Sequence, residues 1–174
     1  MIFMAGILFS CENDMDAIER VTYDEQAPDE VTKDLNIIYT DSGYAQVRIK
    51  AALAETVKKP RHITKLKDGL RIDFFGDSGE VTSTLTALYG EVNYNTGKMF
   101  VRDSVVLYNY EKKQWLESEE MIYNRVDSMI YVPKYYVIRK AEKGITGSGE
   151  GLKTTYKFDK DDYSTRNPQG TIDE

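Results

Sequence analysis

The chain has 174 residues and a net charge of −6, from 23 Lys and Arg against 29 Asp and Glu. That length fits a single domain, and an acidic balance with no basic block argues against a nucleic-acid partner. One cysteine excludes a disulfide framework, while thirteen tyrosines, six phenylalanines and one tryptophan favour strands.

At the N-terminus, Ile7-Leu8-Phe9 ends an apolar run, Ser10 is small, and Cys11 precedes the acidic stretch Glu12-Asn13-Asp14-Met15-Asp16. The run is far shorter than the roughly 20 residues a spanning helix needs. A lone cysteine at the switch from apolar to acidic resembles a bacterial lipoprotein signal. The expectation is that residues 1–10 are removed and Cys11 carries lipid. Residues 11–34 then form a polar tether, and 35–174 a domain outside the cytoplasm, with a polar tail from about 160. The plainer alternative is a hydrophobic strand with a buried free thiol.

From Leu35 onward the punctuation is that of an all-β protein. Turn signals stand at Asp41-Ser42-Gly43, Asp68-Gly69, Asp77-Ser78-Gly79, Asn95-Thr96-Gly97 and 144–151. Residues 44–58 contain the helix-prone Ala51-Ala52-Leu53-Ala54 but open as Tyr44-Ala45-Gln46-Val47-Arg48-Ile49, which reads as a strand. Val81, Leu85, Ala87 and Tyr89 share one face of a strand, with Thr82, Thr84 and Thr86 opposite. Met99, Val101, Val105 and Leu107 form the next apolar face, and Leu152, Tyr156 and Phe158 a later one. Segments starting near Val81, Met99, Trp115, Met129 and Leu152 form a loose hairpin repeat. The pattern predicts two antiparallel sheets, with one edge at residues 39–49.

Catalytic signals are weak. His62, the single histidine, sits in a charged loop after Lys59-Pro60-Arg61. Asp159, Asp161 and Asp162 lack the glycine and terminal glutamate of a calcium loop and read as a solvated turn. Trp115 follows Glu111-Lys112-Lys113-Gln114 and reads as a hairpin-flanking aromatic. No nucleophile, general base or phosphate loop stands out, so the expectation is a protein that is not an enzyme and needs no cofactor.

Several segments, in order, carry a resemblance over roughly residues 35–158: Tyr39-Thr40-Asp41-Ser42-Gly43-Tyr44, Leu66-Lys67-Asp68-Gly69-Leu70-Arg71-Ile72-Asp73-Phe74-Phe75, Leu85-Thr86-Ala87, Met99-Phe100-Val101-Arg102-Asp103-Ser104-Val105-Val106-Leu107, Leu116-Glu117-Ser118-Glu119-Glu120-Met121-Ile122-Tyr123 and Gly147-Ser148-Gly149-Glu150-Gly151-Leu152. Together they resemble the LptC family, membrane-anchored periplasmic components of lipopolysaccharide export. Many members carry an N-terminal transmembrane helix where this chain has the lipoprotein-like signal.

The resemblance implies a twisted β-jellyroll open along one side, whose interior receives the acyl chains of lipid A. It implies partners at both edges: the inner-membrane ABC transporter at the N-terminal edge and a periplasmic bridge jellyroll at the C-terminal one. On this reading the groove residues are Leu85, Ala87, Met99, Val101, Val105, Leu107, Met121 and Tyr123, and Gly43 and Gly151 mark the docking edges. The chain would be periplasmic and lipid-anchored to the inner membrane. Two alternatives stay open: an anchored structural or adhesion β module with a closed core, and a stand-alone periplasmic lipid carrier.

Overall fold

The computed structural model describes residues 27–159 and 164–165. Cys11, residues 1–10, most of the expected tether and most of the tail lie outside the described residues. Ten strands follow in order: β1 (Glu30–Asp41), β2 (Tyr44–Val57), β3 (Ile63–Phe75), β4 (Val81–Ala87), β5 (Tyr89–Asn93), β6 (Lys98–Asn109), β7 (Gln114–Asn124), β8 (Met129–Lys140), β9 (Gly144–Thr155) and β10 (Ser164–Thr165). The described residues contain no helix. Residues 44–57 are strand, so alternation of Val47, Ile49 and Ala51 overrides the local alanine propensity.

Hydrogen bonding joins all ten strands into one antiparallel sheet: nine follow the order β1-β2-β3-β4-β6-β7-β8-β9-β10, and β5 pairs with β3 and β6 beside this path. The sequence expectation was two sheets. The single sheet arises because the long strands bend without breaking. β4 and β5 together run alongside β3, β4 against residues 70–75 and β5 against 63–66. Leu88 interrupts them, and its backbone ties the neighbouring irregularities together: Gly69 N–H donates to Leu88 O at 3.1 Å, and Leu88 N–H donates to Asp103 O at 3.0 Å.

Similar irregularities cross the sheet. The register shifts between Ala51 and Leu53, Arg102 and Val105, Ser118 and Ile122, and Val132 and Tyr135. Asp34, Asp68, Asp103 and Ser104 take positive φ there, as do Gly69 and Gly151. Short polar side chains and glycine tolerate that backbone, and bulges bend a strand and raise its twist. The sheet therefore curls about this line. Phe74 of β3 meets Tyr123 of β7 edge-on at 5.1 Å and stacks on Tyr156 at 4.9 Å, although none of these elements are sheet neighbours. A single apolar cluster fills the space between.

Several sequence readings change. Asp68-Gly69 is a bulge inside β3, and residues 144–151 belong to β9. β1 begins at Glu30, within the stretch read as tether, and β1 is the edge; β2, which holds most of 39–49, is flanked on both sides. Tyr89 does not share the face of Leu85 and Ala87. The break at Leu88 inverts the phase, so Gly90 and Val92 point inward while Tyr89 bonds Glu91 at 2.6 Å beneath Arg102. A Cβ at Gly90 would come 2.7 Å from Leu70 Cδ2, so any larger residue there requires the buried Leu70 side chain to shift.

Candidate functional site

The interior is built from in-register rows of inward side chains. One row crosses seven strands: Ile37, Ile49, Ile72, Leu85, Leu107, Leu116 and Ile138 are successive Cα partners from β1 to β8. At the usual strand spacing this track is about 29 Å long. Six of its members are buried, and Ile37 on the edge strand is half-buried. Beyond the bulge line a second row joins Ala54, Leu66, Gly90, Val101 and Met121.

All eight expected groove residues face this interior. Leu85, Ala87, Val105 and Leu107 lie on one side of the bulge line, and Met99, Val101, Met121 and Tyr123 on the other. None is more than 6% exposed, so the protein's own side chains fill the space around them. Ile49, Ile72, Phe74, Leu116 and Ile138 belong to the same interior but were not among the expected groove residues. The alternation Leu70-Ile72-Phe74 was the signal that could have found them.

Between the β5–β6 and β7–β8 turns lies a small cavity of ≈40 Å³, reaching Tyr39 of β1 and Val47 of β2. Val47, Val92, Met99 and Tyr123 make its apolar wall; Tyr94, Lys98 and Arg125 stand around it. Met99 and Tyr123 are thus the expected groove residues that line it. Burial, then the neighbouring Tyr94, pushes the Tyr39 hydroxyl up to about 12, so it stays a neutral donor at physiological pH. Burial also raises Tyr123. Leu35, Tyr39 and Tyr156 pack half-buried against the core near the ends of the strand order.

The edges differ from one another. β1 pairs only with β2 in the sheet order and exposes Val31 and Ile38. β9 carries β10 against Leu152 and Lys153. Gly43 (φ +87) follows Ser42 (φ +49) in the tight β1–β2 turn, a pair of left-handed residues suited to a two-residue hairpin. Gly151 (φ +70) lies inside β9, beside the register shift against β8.

The outer face holds the one carboxylate in the described core. Asp73 on β3 receives Arg48, Arg71 and Thr84, so both its oxygens are occupied. The His62 ring lies tilted against Tyr94, with centroids 4.3 Å apart, and Trp115 donates to Glu117. Asp159 pairs with Lys112 at 3.1 Å. Among the described residues no three His, Cys, Asp or Glu side chains converge as a metal site, and no helix is long and apolar enough to cross a membrane. Scanned against models of protein families and searched against curated proteins, the chain matches none.

Proposed function

We propose that this chain is a non-enzymatic carrier in lipopolysaccharide export, anchored by lipid on Cys11 to the periplasmic side of the inner membrane. It receives lipid A acyl chains from an ABC transporter and hands them to a periplasmic bridge protein. The curled sheet, with β1 at one edge and the β9–β10 end at the other, is on this reading a twisted open β-jellyroll resembling that of the LptC family. The observation that carries the proposal is the aliphatic track in register from Ile37 to Ile138. An acyl chain gains about 0.8 kcal/mol per buried CH₂, and a track of this length offers a continuous partner for it. Because the core is filled by its own side chains, loading requires interior side chains to move apart.

A photo-crosslinking residue at Val101 or Leu107 is expected to capture lipopolysaccharide during transport in cells. One at Arg102 or Thr86, on the opposite phase, is expected not to. Equal capture at both phases would end the groove assignment. The closed packing of the eight interior residues favours a second reading, an anchored structural β module, and that reading predicts no lipid at either phase.

The anchor has its own test. Intact mass of membrane-extracted protein is expected to show a chain starting at a lipidated Cys11, and Cys11→Ser is expected to move the domain to the soluble fraction. A mature species that keeps Met1 and an unmodified thiol would exclude the anchor.

A further inference from the structure

The curl about the bulge line leaves a lip where the two halves of the sheet meet again, Phe74 against Tyr123. On one half, Phe74, Ser83 and Asn109 are successive inward partners across β3, β4 and β6. On the other, Met99, Tyr123, Ile130 and Thr154 are partners across β6 to β9. Residues 156–159 bridge the two. β9 ends at Thr155 on the second half, and β10 pairs back with Leu152 and Lys153 there. Between these ends the chain reaches the first half. Tyr156 O accepts from Ser83 Oγ and Asn109 Nδ2, Tyr156 stacks on Phe74, and Phe158 is buried in the core cluster. Lys112, in the β6–β7 turn, donates to Phe158 O at 2.8 Å and pairs with Asp159. The hold differs in kind from that of the strands. Phe158 N–H donates to Thr155 O and closes a turn on its own side, while the links to the first half are side-chain donors and rings. Ser83 and Asn109 place buried polar atoms in a row that begins with Val47 and Phe74. A plain core needs none there, and the Tyr156 carbonyl is what they serve. Two features load the closed state. Phe158 has a φ of +55°, a region bulky side chains rarely take, and Thr155 Oγ1, at the root of the bridge, is buried without a hydrogen-bond partner.

We propose that residues 156–159 are a latch: they release from Phe74, Ser83, Asn109 and Lys112 as a unit while the sheet stays hydrogen-bonded, and their release parts the lip and opens the interior. Release frees Phe158 from left-handed backbone and gives Thr155 Oγ1 access to water, which offsets part of the burial lost. A segment held by few contacts opens at lower free energy than the strands it covers. The latch supplies the movement a filled interior needs before it admits any guest, so it does not rest on what that guest is.

The test uses the full chain with Cys11→Ser, so that a single introduced thiol is read. Met99→Cys places that thiol at the lip, at a buried position on a strand separate from β9. Its labelling by a soluble maleimide is expected to be independent of urea at low concentration, as for a local opening, and to rise steeply only near global unfolding. Phe158→Gly keeps the turn, because glycine accepts the φ of +55°, and removes the buried ring. It is expected to speed the urea-independent labelling about tenfold or more. Ser83→Ala with Lys112→Gln keeps both rings and is expected to speed it about threefold or more. Ile138→Val, in the aliphatic track rather than at the lip, is expected to lower the urea midpoint and leave the urea-independent rate within about twofold. Labelling that depends steeply on urea from the start would mean that the interior opens only by unfolding, and would overturn the latch. So would a urea-independent rate that both bridge variants leave unchanged, or that Ile138→Val raises equally. Lipopolysaccharide capture at Val101 and Leu107 is read separately, so the carrier reading stands or falls independently of the latch.

Discussion

Phe74→Ala is expected to lower the free energy of unfolding by about 4 kcal/mol, at the upper end for a buried side chain. The ring is fully buried and touches partners from two distant parts of the sheet. Tyr123 presents its edge at 76° to the Phe74 ring, and Tyr156 stacks nearly parallel at 5°. Such aromatic pairs add about 0.5–1.5 kcal/mol each beyond area burial. The backbone around them resists collapse, because Tyr156 O is held by Ser83 Oγ at 2.5 Å and by Asn109 Nδ2 at 3.3 Å. The vacated space therefore stays open. Urea unfolding of the two proteins gives the difference, with exposed Ile38→Ala as a control expected within about 0.5 kcal/mol of the parent. A loss below about 1 kcal/mol for Phe74→Ala would mean that the opposed parts of the sheet do not pack through this ring.

Alternation made most strands legible, including β2, where it outweighed a run of alanines. It also made the inward phase of the eight interior residues legible, because a buried face demands period two whatever the topology. Chain reversal was not legible from the same residues that signalled it. Ser42-Gly43 and Asp68-Gly69 both place left-handed residues in the chain. The first closes a hairpin and the second bends a strand that runs on to Phe75. The tolerance for positive φ is local, whereas the choice between turn and bulge depends on which strand lies alongside. The same limit misplaced Tyr89, whose phase is set by a break at Leu88 that no residue type announces. The cavity was hidden for another reason. Tyr39, Lys98 and Arg125 come from strand ends and turns far apart in sequence, and only the curl of the sheet brings them together.

Asp73 anchors the outer face, and its removal is expected to have the second large effect. Its side chain is 1% exposed, with Arg48 Nη2 and Arg71 Nε each at 2.7 Å and Thr84 Oγ1 donating at 2.9 Å. Asp73→Ala leaves two guanidiniums facing each other with no counter-charge. Because both arginines keep partial contact with water, the expected loss is about 3 kcal/mol, the low end for breaking a buried pair. Asp73→Asn, which keeps the shape and one acceptor, is expected to lose less. Burial pushes the Asp73 carboxyl up, but the bonds from Arg48, Arg71 and Thr84 outweigh it and hold it below its ordinary value. A depressed carboxyl contributes stability that is complete above its unfolded value, near 3.9, and disappears as pH falls through the folded value. The parent protein is therefore expected to lose more stability than Asp73→Asn between about pH 5 and pH 2, and parallel urea midpoints across that window would exclude the ion pair as the cause. Its structural consequence is registration. Arg48, Asp73 and Thr84 are successive Cα partners across β2, β3 and β4. A slip of one residue in β3 would carry the carboxylate into the apolar interior beside Leu85 and Ile49, so the charge cluster outside enforces the same register that aligns the aliphatic track inside.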